Sequence, residues 1–329
     1  MGHKLERDRC KPQLGQRFSA GGRNYELMGQ LGDGAAGLVR KARDIERDTT
    51  VAVKFLAPDP KYIDTGVFDD VARRFKREGE RGAHLRHDSL VTIIAYSDNE
   101  SGRSFLKGGG PTNPFIVMEY LEAKTLESYI RAAPESDRGS FSLTEPRLNI
   151  AIQIANALEH LKGYRLVHRD VKPANIFLSK RRSSWHAKLG DFGVMKWGDF
   201  HAALATGTLT VIAQKGLGTL KYMSPEQAIR PADVTIKSDV WSLGITLFEL
   251  FTGQILASAH HVYELQSARR AAQMTTIGRY NSLRIRLASY DQGLADLILD
   301  MFLAPNGRPT IDKVRGRLEY EHSRRFGPD

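Results

Sequence analysis

Between His168 and Asn175 the chain reads His-Arg-Asp-Val-Lys-Pro-Ala-Asn, which sets an acid, a cation and an amide at fixed offsets. The run follows an amphipathic stretch and precedes the short apolar segment Ile176-Phe177-Leu178, so it reads as a tight loop leading into a strand. Such a loop would gather Asp170, Lys172 and Asn175 around one point. A carboxylate there can accept a proton from an incoming hydroxyl. The ammonium of Lys172 can neutralise phosphoryl charge, and the side-chain oxygen of Asn175 can hold Mg²⁺, which prefers oxygen ligands. An isolated His-Arg-Asp is more often a charged turn. The weight therefore falls on whether the other parts of a phosphoryl-transfer site occur in order.

Upstream, Leu31-Gly32-Asp33-Gly34-Ala35-Ala36-Gly37-Leu38-Val39 carries three glycines between strand-like flanks. Glycine lets backbone N–H groups approach phosphate oxygens unobstructed. A dinucleotide-binding fingerprint of similar spelling would open a helix and place an acid about 20 residues on. Here Gly37 runs into Leu38-Val39-Arg40-Lys41-Ala42, polar turn residues and Val51-Ala52-Val53-Lys54, an alternation that predicts hairpin strands. Lys54 lies between apolar neighbours, which invites a partner. Downstream, Ile176-Phe177-Leu178 and Ala187-Lys188-Leu189 read as paired strands, followed at once by Asp191-Phe192-Gly193. Asp191 can then meet the Asn175 side chain across the hairpin.

These motifs, in this order, resemble the eukaryotic-like (Hanks-type) serine/threonine protein kinase family and its bacterial branch, over residues 25 to about 318. The resemblance implies an α+β, bilobal protein kinase-like fold, with a small β-rich N-lobe and a larger helical C-lobe. It implies ATP bound between the lobes with Mg²⁺, or Mn²⁺, and transfer of the γ-phosphoryl group to protein Ser/Thr hydroxyls. Asp170 would be the catalytic base and Lys172 the stabiliser of the transferred group. Lys54 would contact the α- and β-phosphates and pair with Glu78 (Glu80 is the rival), while Asn175 and Asp191 would ligate the metal. Gly32, Gly34 and Gly37 would cover the phosphates. Leu31, Val39, Ala52 and Met118 would wall the purine pocket, with Phe177 as its floor and main-chain groups of Glu119 and Leu121 on the adenine edge. Ala35-Ala36 depart from the aromatic that many kinases carry at the loop tip.

The segment 72–85 reads as the helix bearing Glu78, with Phe75, Ala83 and Leu85 on its buried side. Gly79 and Gly82 each cost such a helix about 1 kcal/mol relative to alanine. Gly82 also falls where related kinases place a packing side chain. The expectation is therefore that the Lys54–Glu78 pair is not permanently formed in the free protein. Residues 97–114, glycine-rich, read as a long loop between two strands. Ser142-Leu143-Thr144-Glu145 offers a capping pattern for a helix that buries Leu148, Ile152, Ala155 and Leu158 and stops near Gly163.

Past the metal acid, Gly218-Thr219 and Met223-Ser224-Pro225-Glu226 resemble the end of an activation segment, which would put Thr219 at the acceptor site. Glu226 would be structural and paired with Arg308. Asp239, opening a helix that is apolar almost all round, would brace the catalytic loop. Arg169 beside Asp170 resembles kinases activated by loop phosphorylation, which makes Thr206, Thr208 and Thr210 candidate autophosphorylation sites. Two other classes stay open. A small-molecule kinase would lack the Pro225-Glu226 and Arg308 elements, and a kinase-like scaffold (pseudokinase) would normally have lost Lys54, Asp170 or Asp191.

The whole-chain properties set the bounds. With 329 residues and 41% hydrophobic content the chain can bury a sizeable core. Cys10 is the single cysteine, which forbids an internal disulfide and fits a reducing, cytoplasmic setting. The net charge of +10 favours anions, yet the basic runs 73–77 and 180–182 read as a solvated helix face and a turn. No nucleic-acid partner is expected. Neither is a membrane partner, since the most apolar run, 240–251, is too short to cross a bilayer. The expected partners are protein substrates, with a homodimer as one route to trans-autophosphorylation. The expected division is an extension over 1–17, the N-lobe over 18–121, the C-lobe over 122–322 and a tail over 323–329.

Overall fold

The structure, a computed structural model, describes residues 14–34, 37–56, 67–97, 104–106, 110–112, 114–133, 143–191, 221–229, 233–254 and 292–327. These fall into two compact units: one holds the residues up to His87 and Val91–Leu121, the other Asp88–Leu90 and the residues from Glu122 on.

The first unit contains β1 (Arg17–Ala20), β2 (Arg23–Gly34), β3 (Gly37–Asp44), β4 (Thr49–Leu56), α1 (Val67–Gly82), β5 (Ile93–Tyr96), β6 (Ser104–Leu106), β7 (Gly110–Thr112) and β8 (Phe115–Glu119). Six strands form an antiparallel sheet in the order β1-β2-β3-β4-β8-β5. The expected long loop between β5 and β8 holds a separate hairpin, β6 with β7. Alternation along β4 divides the sheet. Val51, Val53 and Phe55 join Phe18, Tyr25, Leu27, Ala42, Phe115 and Val117 in the unit's core. Phe18 organises that layer: its ring stacks on Tyr25 at 5.3 Å and meets Phe115 edge-on at 4.8 Å. Each such fully buried side chain contributes roughly 1.5–3 kcal/mol. Ala52 and Lys54 point to the other face, where the site residues gather.

Helix α1 starts before and ends earlier than the spacing predicts. Beyond Gly82 the chain tightens, with the Leu85 N–H donating to the Gly82 carbonyl (3.0 Å), so Ala83 and Leu85 lie past the helix. Phe75 and Leu85 are buried as expected, whereas Ala83 is half-buried.

The second unit contains β9 (Lys124–Thr125), α2 (Leu126–Arg131), α3 (Glu145–Gly163), β10 (Ile176–Arg181), β11 (Ser184–Leu189), α4 (Pro225–Ile229), α5 (Ile236–Thr252), α6 (Gln292–Asp300) and α7 (Ile311–Phe326). α7 runs on to Phe326, past residue 323, where the tail is expected to begin. Thr144 is the N-cap of α3 but makes no side-chain capping bond, and the Pro at the first turn sets the entry instead. On that helix Leu148, Ala155 and Leu158 are buried as expected, while Ile152 is only half-buried and Ala151 and Ile154 are buried in its stead. α5 is buried on every side from Ser238 to Thr252. The Thr235 hydroxyl caps its start, and Gly253 at φ 66° closes it in the left-handed conformation that glycine adopts without steric cost.

Candidate active site

In the second unit the predicted loop residues converge. Lys172 Nζ lies 3.1 Å from Asp170 Oδ2. Asn175 Nδ2 donates to both the Asp170 carbonyl (2.8 Å) and Asp170 Oδ2 (2.7 Å). All three side chains are buried. Because the amide N–H groups of Asn175 are spent on Asp170, its Oδ1 has no hydrogen-bond partner among the described residues and remains an acceptor. The three-stranded sheet places the next donor: Ile176 pairs with Leu189, and the Gly190 N–H donates to the Asn175 carbonyl at 2.9 Å, so Asp191 leaves the hairpin beside Asn175. Asp191 stands at φ 61° and Arg169 at φ 70°, a conformation uncommon outside glycine, asparagine and aspartate. Both acids of the loop and hairpin are thus aimed by, or adjoin, a strained residue, a pattern that clusters at functional sites.

The donor set fits a hard cation. Two oxygen ligands, a carboxylate and an amide, are offered at one end of a hairpin, and among the described residues no group of three or more His, Cys, Asp or Glu forms a self-sufficient metal site. A cation held here would need the remaining oxygens from its ligand's phosphates, as Mg²⁺ in phosphoryl-transfer sites does.

The loop is braced from beneath. The Asp239 carboxylate accepts the His168 N–H and the Arg169 N–H, each at 2.7 Å. Burial pushes this carboxyl up to about 7, against the pull of those two donors. Gln227 Nε2 donates to the Arg169 carbonyl at 2.7 Å. Arg308 then grips Glu226 bidentately, at 2.5 and 2.9 Å, while the Ser238 hydroxyl donates to Glu226 Oε1 at 2.7 Å. Burial alone would raise the Glu226 carboxyl, but the bonds and charge of Arg308 hold it below the usual range. Arg308 also donates to the Leu303 and Lys237 carbonyls and stacks over Trp241.

Sequence reasoning missed Gln227, Ser238 and Trp241. Gln227 follows Glu226 directly, which was the available signal, but its partner lies 58 residues away.

In the first unit the strand register carries the assembly. Val39 opposes Lys54 on β3–β4, and Ala52 opposes Met118 on β4–β8, so these four share one face of the sheet. Leu31 falls at a register shift between Gln30 and Gly32 and is exposed. The Glu119 N–H is committed to the Thr92 carbonyl at 3.0 Å, so it is not among the main-chain groups open to an adenine edge. Leu121 is half-buried, as is Phe177 on β10 of the second unit.

Lys54 Nζ lies 3.7 Å from Glu78 Oε1, with both side chains buried. The expectation of an unformed pair is overturned, and the glycines give the reason. A Cβ on Gly82 would stand 2.3 Å from Ile93 Cδ1, and one on Gly79 would stand 2.6 Å from Tyr96 Cβ. α1 uses both positions to lie close on β5, so Ile93 fills the space that a side chain at 82 would take. Glu78 is carried inward with the helix.

Gly34 and Gly37 pair at the tip of β2–β3. Thr206, Thr208, Thr210, Thr219, Phe192 and Gly193 lie outside the described residues.

The comparisons agree with this geometry. The protein kinase domain family matches residues 25–317. Serine/threonine-protein kinase PrkC of Bacillus subtilis is 35% identical over 268 residues, covering 82% of this chain and 36% of that protein. Serine/threonine-protein kinase PknB of Mycolicibacterium smegmatis is 33% identical over 266 residues, covering 76% and 37%. The chain thus spans little more than a third of the length of these relatives. The PknI kinase domain of Mycobacterium tuberculosis superposes with a TM-score of 0.61 at 21% identity, covering 95% of this chain and 99% of that one, a likeness of fold. A glycine-tipped hairpin, a paired strand lysine and a braced Asp-Lys-Asn loop, in a chain so matched, place it in the protein kinase family, among bacterial serine/threonine members.

Proposed function

We propose that the chain is an ATP-dependent serine/threonine protein kinase, and the observation that carries this is the Asp170–Lys172–Asn175 cluster. Asp170 orients the acceptor hydroxyl and takes its proton at Oδ1 or Oδ2. Lys172, held beside that carboxylate, stabilises charge on the transferred group; its position two residues after the base matches Ser/Thr rather than Tyr kinases. Asn175 Oδ1 and Asp191 would hold Mg²⁺, which when bound would supply positive charge against the phosphates of ATP. Lys54, fixed by Glu78, orients the α- and β-phosphates, with the β2–β3 glycines above them. Val39, Ala52, Met118 and Phe177 take the purine. As in protein kinases generally, positioning and charge stabilisation do most of the work. Thr219 lines the acceptor site, and one of Thr206, Thr208 and Thr210 is autophosphorylated, in trans within a homodimer.

Protein Ser/Thr acceptors, a cytoplasmic setting and lobes divided at 121/122 belong to the same reading. It is supported by the family match, by the single cysteine and by the lack, among the described residues, of any helix long and apolar enough to cross a membrane. The test is Asp170→Asn, assayed for labelled phosphate transfer from Mg-ATP to protein. Transfer should fall by about 10²–10⁴-fold while ATP binding persists. Equal transfer by parent and variant would refute the assignment.

A further inference from the structure

The small sheet of the second unit carries a basic surface apart from the site already described. Its β10–β11 hairpin, residues 176–189, holds Lys180, Arg181, Arg182 and Lys188 and no Asp or Glu. Strand register puts two lysines on a common face: Lys124 of β9 pairs opposite Leu178, and Lys180, two residues on, pairs opposite Trp185. The Trp185 ring gathers them. Lys124 Nζ stands over the indole at 4.5 Å and Lys180 Nζ at 4.9 Å. Tyr129 of α2 meets the indole edge-on at 5.5 Å, with its own ring 4.9 Å from Lys124 Nζ.

Both lysines are exposed and have no acid partner among the described residues, and the same holds for Arg181 and Arg182 at the hairpin turn. Lys188 belongs to the interior, where its Nζ donates to the Leu90 carbonyl at 3.2 Å. The acids of the packed elements keep their charge but are matched by other groups. Glu127 pairs with Arg131 of its own helix, and on α3 Glu159 pairs with Arg315 while Glu145 faces His322 of α7. That leaves Glu122, two residues before Lys124, against Lys124, Lys180, Arg181 and Arg182. The β11 backbone is engaged as well. Gln153 of α3 donates from Nε2 to the Trp185 carbonyl (3.0 Å) and accepts the Ala187 N–H at Oε1 (2.8 Å), so a partner is met by side chains and not by strand addition.

We propose that this surface docks an acidic segment of the protein substrate, which rests on the reading of the chain as a protein kinase. Two ammoniums held over one ring have less freedom to lose than lysines extended into water, so less order is given up when carboxylates meet them. Trp and Tyr are also enriched at the energetic centres of protein interfaces. A single-stranded nucleic acid would need an open aromatic face for its bases, whereas this indole already lies under two cations. Connectivity sets the spacing. β10 starts from Asn175, and at about 3.3 Å per residue Lys180 lies about 16 Å away. An extended chain covers at most about 3.6 Å per residue, so the acidic run must reach at least about five residues from the acceptor.

Peptides with one Thr test this: one with three Glu about ten residues from the Thr, one with three Glu directly beside it, and one with none. The distant run should lower KM about tenfold against the Glu-free peptide, about threefold for each exposed cation engaged, with kcat unchanged. The adjacent run should gain nothing. Lys124→Gln/Lys180→Gln should abolish the advantage and leave the Glu-free peptide unaffected, whereas Lys124→Arg/Lys180→Arg should retain it. Fluorescence anisotropy with a labelled peptide of ten Glu and no Thr reads docking without transfer. Saturable binding at low ionic strength is expected, about tenfold weaker in the Gln double variant and weakened by salt. Loss of transfer to every peptide with this binding intact would refute the kinase reading and leave the docking surface standing. No saturable binding by the parent, equal binding by the Gln variant, or tighter binding of an oligothymidylate overturns the proposal.

Discussion

The candidate residues of the two units are held on opposite plans. In the second unit Asp170 sits in a loop whose backbone is held by side chains from elsewhere: Asp239 takes two amides, Gln227 takes a carbonyl, and Arg308 with Glu226 locks the segment that carries Gln227. In the first unit Lys54 meets Glu78 in an ion pair at 3.7 Å, and Glu78 reaches it because α1 lies against β5 over two glycines. One set is fixed by polar bonds of high geometric specificity, the other by steric closeness. The first kind fails when a partner is deleted. The second fails when an atom is added.

The largest effect should come from deletion. Arg308 is buried and the Glu226 side chain is only 10% exposed, so Glu226→Ala strands a guanidinium out of water at a cost of roughly 3–5 kcal/mol. Arg308→Ala should cost as much or more, since it also strips donors from the Leu303 and Lys237 carbonyls. Denaturant unfolding of the two single variants and of the double variant checks this. The double variant should lose distinctly less than the sum, because no unpaired charge is left behind. Additive losses would mean that the pair is not the coupled unit described.

Addition should rank next, and it separates the two glycines. Gly79→Ala forces a methyl against Tyr96 Cβ at 2.6 Å, an atom bound directly to the β5 backbone that cannot turn away. Overpacking of this kind costs about 1–3 kcal/mol, which exceeds the ~1 kcal/mol that alanine returns in helix propensity. Gly82→Ala meets Ile93 at its terminal Cδ1, which can swing to another rotamer, so its net effect should stay within about 1 kcal/mol. Gly79→Ala should also weaken ATP binding by shifting Glu78 off Lys54, while Gly82→Ala should do so far less. Thermal unfolding and nucleotide titration of both variants give the ranking, and the reverse order would sink the steric account.

The difference between the two sets also explains what the sequence made legible. The Asp170 loop was readable because its members lie within six residues and each residue type matches one chemical task. The lysine strand and the Asn175–Asp191 hairpin were readable because alternation and short turns are local properties. Glu78 was identified by spacing, but the state of its pair was misjudged. Helix propensity counts Gly79 and Gly82 as weaknesses, and nothing near them in the chain announces Tyr96 and Ile93 as the neighbours that need the room. Gln227 escaped for the same reason, its partner being the Arg169 carbonyl. Ile152 was misassigned because half of α3's positions are apolar, so the period alone does not single out the buried stripe.

A control outside both sets should show the smallest effect. Lys162 near the end of α3 meets Asp312 at the start of α7 at 2.5 Å, a distance like that of the Arg308–Glu226 contact, but both side chains are more than 40% exposed. The hydrogen bond from Lys162, aided by that from Thr310, holds the Asp312 carboxyl down at about 2. A depressed folded value means that the pair stabilises the chain above the ordinary carboxyl range, near pH 4, and that this contribution is lost as pH falls through about 2. Solvent screens an exposed pair, so the contribution should not exceed about 1 kcal/mol at pH 7 and should shrink with added salt. Asp312→Asn, followed by thermal unfolding at pH 7 and at low pH, should therefore lower stability slightly at pH 7 and converge with the parent toward pH 2. A loss as large as that of Glu226→Ala would show that contact distance, rather than removal from water, ranks the ion pairs of this protein, and the contrast between its braced and exposed elements would fall with it.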